Sequence, residues 1–210
     1  HHLLRRQRQM CIRDRTQSSL SFHSGRQCRT FPRLEAARLM MVWPVASADD
    51  QLAIAGADLA TTILAEGRRS RLVQKLREEL QIVESIDMDV TTLEQGSLVM
   101  LEACCPAEQI ERVEMEIHQQ LNSSLTTAIT DEEFHRALQL VGNGHRFSLE
   151  APGAVAASAG SQTLWGRHRD LLAPLQDLMH WNASTLRERV MPLLQPQHSF
   201  TLIARSEDNA

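Results

Sequence analysis

The sequence predicts an α+β domain, an antiparallel or mixed β-sheet with helices packed on one face. Three observations carry this. Short apolar or alternating runs of strand length stand near residue 40, at 82–104 and at the end of the chain. Stretches with helical spacing lie between them. Two of the strands follow one another directly, and a long series of helices comes next, which is the grouping of an α+β fold rather than of a βαβ repeat. A chain of 210 residues with 42% hydrophobic and 23% charged residues has the composition of one globular domain with a sizeable core.

The elements follow in order. Arg38-Leu-Met-Met-Val-Trp43 is an apolar run closed by Pro44 and reads as a strand. Asp49 and Asp50 stand where an N-cap and first-turn acids belong, Leu52, Leu59 and Ile63 form a helical stripe, and Gly67 offers a stop. Ser70 is placed to cap a second helix with Leu72, Val73, Leu76 and Leu80 on one face. From Ile82 to Thr91 the period changes to two, with Ile82, Ile86, Met88 and Val90 on one face and Asp87 and Asp89 on the other. Leu98 to Cys104 is apolar on both parities, as for a strand in the middle of a sheet.

Pro106 opens a long helix with Ile110, Val113, Ile117 and Leu121 as its buried stripe. Thr130-Asp-Glu-Glu133 is a capping box ahead of Phe134, Leu138 and Val141. Further helices are expected over the Ala-rich 154–165, Leu171–His180 and Ser184–Leu194, and Phe200, Leu202 and Ala204 close the chain as a strand.

Charge divides the chain unevenly. Residues 1–33 hold eight arginines and one acid, a balance of +7, whereas 34–210 hold 14 basic and 25 acidic side chains, a balance of −11. The first part has little periodicity, and Gln9 to Arg15 does not read as evolved protein. Residues 1–33 are therefore expected to be an unstructured or non-native extension, with the folded domain at 34–210. A basic arm can bind nucleic acid or an anionic membrane, but with so little periodicity in residues 1–33 no nucleic-acid partner is expected. No apolar run reaches the roughly 20 residues of a membrane helix, and no secretory-type apolar core is present, so a cytoplasmic location is the expectation.

Cys104 and Cys105 are adjacent in a strand and would face opposite ways, as buried reduced thiols rather than a bridge or a nucleophile. The nine histidines (1, 2, 23, 118, 135, 145, 168, 180 and 198) are scattered. Neither H-x-x-E-H nor H-E-x-x-H occurs, and the local pairs His168–Asp170 and Asp177–His180 supply too few ligands for a catalytic metal.

The most specific segment is Gly67-Arg-Arg-Ser-Arg-Leu-Val-Gln-Lys-Leu-Arg-Glu-Glu-Leu-Gln-Ile-Val-Glu84. It resembles the G-x-x-S-R-L-x-x-x-L-R-E-x-x-G-L-x-Y segment of the insulinase-type zinc metallopeptidases, the pitrilysin and mitochondrial-processing-peptidase family. In that family the segment belongs to the C-terminal domain, which lacks the zinc ligands. The resemblance runs over about 34–205.

It implies that the chain forms one half of a clam-like chamber, a wall or substrate-positioning half beside a zinc-bearing domain or subunit, and has no activity alone. No cofactor is expected in this chain; zinc is expected in the partner domain. The implied partners are that zinc-bearing half and a peptide substrate, and the resemblance also admits a dimer. The family's substrate-holding arginine falls on Arg77, and its tyrosine, seven residues on, is replaced by Glu84. From the residues alone Arg77 also reads as a solvated helix arginine beside Glu78 or Glu79. Glu84 shares the parity of Ile86 and Met88, so an ion pair between Glu84 and Arg77 is expected. The alternative function is a stand-alone α+β assembly or scaffold module.

Overall fold

The computed structural model describes residues 20–164 and 166–207. Five strands, β1 (Gly25–Phe31), β2 (Ala37–Pro44), β3 (Ser85–Thr91), β4 (Leu98–Cys105) and β5 (Phe200–Ser206), form one mixed sheet in the order β1-β5-β2-β4-β3. The β1–β5 pair is parallel and the other three are antiparallel. Six α-helices accompany it: α1 (Gln51–Ala65), α2 (Ile110–Thr126), α3 (Asp131–Ser148), α4 (Pro152–Leu164), α5 (Ala173–Leu178) and α6 (Ala183–Arg189). A π-helix spans Val73–Glu79.

The odd-numbered residues of β2 (Leu39, Met41, Trp43) are fully buried and meet Val99, Leu101 and Ala103 of β4 on the helix side of the sheet. Against this face lie Leu59, Ile63 and Leu64 of α1 and the predicted stripe Ile110, Val113, Ile117 and Leu121 of α2, all essentially without exposure. The Trp43 indole Nε1–H donates to the Gln195 carbonyl at 2.9 Å, and the Gln195 amide donates to the Leu121 carbonyl at 3.0 Å, so buried hydrogen bonds tie β2, α2 and the segment before β5 together. Helices thus pack one face, as the sequence predicts.

Three features depart from the expectation. The sheet begins before Leu34: Gly25–Phe31 forms edge strand β1 alongside β5, although all seven of its residues are exposed. The signal is missing because an exposed edge strand needs no apolar alternation. Arg26 of β1 instead reaches over to α2, where Glu114 accepts from its Nε and its Nη2, both at 2.9 Å. Residues 1–19 lie outside the described residues. The second helix is a π-helix with a Leu80 N–H to Lys75 carbonyl bond at 3.0 Å, which the apolar spacing does not distinguish from an α-helix. Finally, the strand expected from Ile82 starts only at Ser85, because Gln81 adopts a positive φ of 52° and turns the chain first.

Candidate functional site

The segment from Gly67 to Glu84 runs from the end of α1 to the start of β3. Gly67 has φ 77°, the left-handed conformation glycine adopts without strain. Its carbonyl accepts from both the backbone N–H of Ser70 at 3.1 Å and the Ser70 hydroxyl at 2.7 Å. Ser70 is fully buried, so this serine closes the turn that starts the helix.

Arg71 is the anchor. Its Nε and Nη2 donate to Glu133 at 2.7 and 2.9 Å, a two-pronged pair with side-chain exposures of 14% and 22%, and Nη2 also donates to the Ala128 carbonyl at 2.9 Å. Glu133 simultaneously accepts from the Thr130 backbone N–H at 2.9 Å, completing the capping box of α3. Burial pushes the Glu133 carboxyl up, but the Arg71 guanidinium and the Thr130 N–H outweigh it and hold it below the usual carboxylate range. The two sequence signatures, Ser70-Arg71-Leu72 and Thr130–Glu133, are therefore two sides of one contact. Sequence reasoning named both and missed their connection; complementary charge on two capped helices was the available signal.

Arg77 follows on the exposed side of the π-helix, with its side chain 52% exposed. It lies 3.9 Å from Glu78, at the limit of an ion pair. Glu78 is already engaged by Arg68, whose Nη2 and Nε donate at 2.7 and 3.3 Å. The Arg68 hydrogen bond outweighs desolvation and, with the nearby charges of Arg68 and Arg77, lowers the Glu78 pKa. Arg77 makes no side-chain hydrogen bond among the described residues, so its donors are available.

The expected Arg77–Glu84 pair does not form. Glu84 is exposed, its backbone N–H donates to the Cys104 carbonyl at 2.8 Å, and its carboxylate accepts from the Cys104 thiol at 3.6 Å. Ser85 is also the register partner of Cys104, so two residues of one strand end face one of the next. A step of one residue in a ladder moves a side chain to the opposite face, which is why the parity argument failed at Glu84 and held from Ile86 onward.

Glu84 thus joins Cys104, Arg38 and Glu102 on the face of the sheet opposite the helices, where Arg38 and Glu102 form an ion pair across β2 and β4. Cys105 faces the core, and burial pushes its thiol up to about 11. Cys104 is raised as well, by desolvation first and then by Glu84. Neither is poised as a nucleophile.

The described histidines do not converge. His135 Nδ1 lies 2.7 Å from the Asp131 carbonyl and His180 Nδ1 2.9 Å from the Gln176 carbonyl. Asp177 accepts from Arg169 at 2.8 and 2.6 Å, and Asp170 accepts from the Leu172 N–H at 2.7 Å, so neither local histidine–aspartate pair forms. Among the described residues no three metal-ligating side chains lie together, and the residues present do not fit a catalytic zinc ion. No helix among them is long and apolar enough to cross a membrane.

The family described as the peptidase M16 inactive domain matches residues 12–141, well over half of the chain, and its match begins within the basic N-terminal stretch. Similar solved structures include the peptidase M16 inactive domain from Pseudomonas fluorescens, at 14% identity and TM-score 0.75, covering 87% of this chain and 44% of that one. The inactive peptidase domain from Bordetella parapertussis aligns at 16% identity and TM-score 0.73, covering 82% and 92%. Complex III2 from Candida albicans contains a chain aligned at 15% identity and TM-score 0.74, covering 88% and 46%. No match to a curated protein was found. The chain thus spans less than half the length of the first of these structures, and the family match places it: it belongs to the insulinase-type M16 peptidases, as their inactive, zinc-free domain.

Proposed function

We propose that this domain works as the non-catalytic half of a two-part peptidase, docked on a zinc-bearing half through the helix-free face of its sheet. One observation carries the reading. On that face Met40 and Val42 of β2 stand beside Leu202 and Phe200 of β5; on the β4 side Val42 faces Met100, Met40 faces Glu102, and Leu98 is next in line opposite Pro44. These six apolar side chains form a continuous half-exposed strip across the three central strands. No helix of the described residues packs over it. An uncovered apolar sheet face is a contact surface awaiting a partner, and a domain lacking metal ligands in a peptidase family needs a partner that has them.

Arg77 is the substrate-positioning group in this reading. Its unengaged donors suit the carbonyl oxygens of an extended peptide. Glu84 offers an acceptor where the family has a hydroxyl donor, so positioning rests on Arg77 alone. The test is coexpression with the zinc-bearing half encoded upstream of or beside this chain. A stoichiometric complex and chelator-sensitive peptide hydrolysis are expected. Met40→Lys with Leu202→Lys should dissociate it, while Arg77→Ala should keep the complex and raise KM. A complex that survives both lysines refutes the docking face, and a chain that never binds the zinc half is instead the scaffold module.

A further inference from the structure

At the end of the sheet remote from Arg77, a cleft of about 200 Å³ opens between the turn after β2, the start of α1 and the end of α6. Val45, Leu52, Val190 and Leu193 line it, and Trp181 forms one wall. That wall is rigid. The indole Nε1–H donates to the Leu52 carbonyl at 3.0 Å, and the ring lies so close to α1 that a Cβ on Gly56 would fall 2.4 Å from its Cζ2. A preformed aromatic surface is what lets a small site bind without ordering costs.

Two charged groups complete the rim. The Arg189 guanidinium lies over the Trp181 ring, 5.4 Å from its centroid, and has no acidic partner among the described residues. Asp50 caps α1 with one oxygen, which accepts from the Ala53 N–H at 3.0 Å, and its other oxygen is open. The cleft therefore presents an apolar floor, an unopposed cation and a spare hydrogen-bond acceptor. A bare carboxylic acid satisfies the cation and leaves Asp50 facing an anion. A molecule with an apolar side chain, a carboxylate and an N–H on one carbon satisfies all three, and the last residue of a peptide has that arrangement. The volume is below the roughly 300–1,000 Å³ of sites for drug-sized ligands and suits a single large side chain.

From this geometry we infer that the cleft is a binding site for the carboxyl-terminal residue of a peptide ending in a large apolar side chain. Arg189 holds the carboxylate, the open Asp50 oxygen accepts the terminal residue's N–H, and Trp181 takes the side chain. The inference rests on the reading that this domain handles peptides, but its test uses this chain alone, so docking of the zinc half and binding at the cleft succeed or fail separately.

The probes are N-acetyl-Ala-Ala-Phe with a free carboxylate, its carboxyl-terminal amide, and 3-phenylpropionate, titrated calorimetrically against the full chain. The free acid should bind at least about tenfold more tightly than the amide, which is about 1.4 kcal/mol, and more tightly than 3-phenylpropionate, which lacks the N–H. Arg189→Gln should bring the acid down to the level of the amide in a protein that stays folded with its circular dichroism unchanged, since Arg189 is exposed. Equal binding of acid and amide, an acid preference unchanged in Arg189→Gln, tighter binding of 3-phenylpropionate, or no saturable binding of any probe overturns the assignment.

Discussion

Gly56 stands in the interior of α1, where alanine is ordinarily better than glycine by about 1 kcal/mol because it freezes less backbone entropy. The structure reverses that sign. A Cβ at Gly56 would lie 2.4, 2.7 and 2.9 Å from Cζ2, Cε2 and Cη2 of Trp181, against an optimum carbon–carbon separation of about 3.5–4.0 Å. Relief needs a ring shift of about 1 Å. The indole is held from the other side by its bond to the Leu52 carbonyl and is only 8% exposed. Overpacking of this kind costs about 1–3 kcal/mol, and a lost hydrogen bond adds about 1 kcal/mol. After the propensity gain, Gly56→Ala should destabilise by about 1–3 kcal/mol, read as a lower urea midpoint with an unchanged m-value. In a Trp181→Leu background, with the ring gone, the same substitution should stabilise by up to about 1 kcal/mol. A Gly56→Ala protein more stable than its parent, or an effect of the same size in both backgrounds, would refute the close approach of the ring to the helix.

Two further outcomes follow from named side chains. Glu133→Gln removes the charge that engages Arg71 and weakens the α3 cap, so it should cost about 2 kcal/mol in urea unfolding at neutral pH. The Glu133 pKa is lowered in the folded state, so the contribution is present above the unfolded-state pKa and lost as the pH falls through the folded one; the difference between parent and variant should shrink in acid. Asp58 has the opposite sign: burial alone pushes its carboxyl up from 3.8 to about 6, so the folded form holds its proton longer than the unfolded chain. Stability from this group should fall as the pH rises from about 4 to about 6, by no more than about 3 kcal/mol. Asp58→Asn should remove that slope and unfold at higher urea than the parent at pH 7.5; identical pH profiles for the two proteins would show that Asp58 is well solvated.

What was legible in the sequence is what depends on periodicity and local capping. The stripe Ile110–Val113–Ile117–Leu121 is buried as spaced, Thr130 and Glu133 make their capping box, and Leu98–Cys105 runs mid-sheet between β2 and β3. What escaped depends on partners distant along the chain. β1 has no buried residue and is fixed by pairing with β5 and by Arg26 reaching Glu114, 88 positions away. Gly56 looks like a weak point in a helix until Trp181 is placed beside it. At the candidate site the position of Arg77 follows from the segment's likeness to its family, whereas its surroundings do not, because they are set by Arg68 and by the turn at Gln81.

The replacement of the family tyrosine by Glu84 changes meaning once the strand end is seen. Parity would have put an uncompensated carboxylate over the apolar core, which only Arg77 could have relieved. With Glu84 and Ser85 both opposite Cys104, the carboxylate stands on the helix-free face, accepts from the Cys104 thiol and needs no cation of its own. Arg77 is consequently not consumed by a salt bridge with Glu84, and its one ionic neighbour among the described residues is Glu78 at 3.9 Å. In the proposed positioning role, the missing tyrosine takes away one donor and leaves Arg77, so the substitution should weaken the hold on a substrate carbonyl without blocking it. On that proposal Arg77 remains the group this domain offers to a zinc-bearing half.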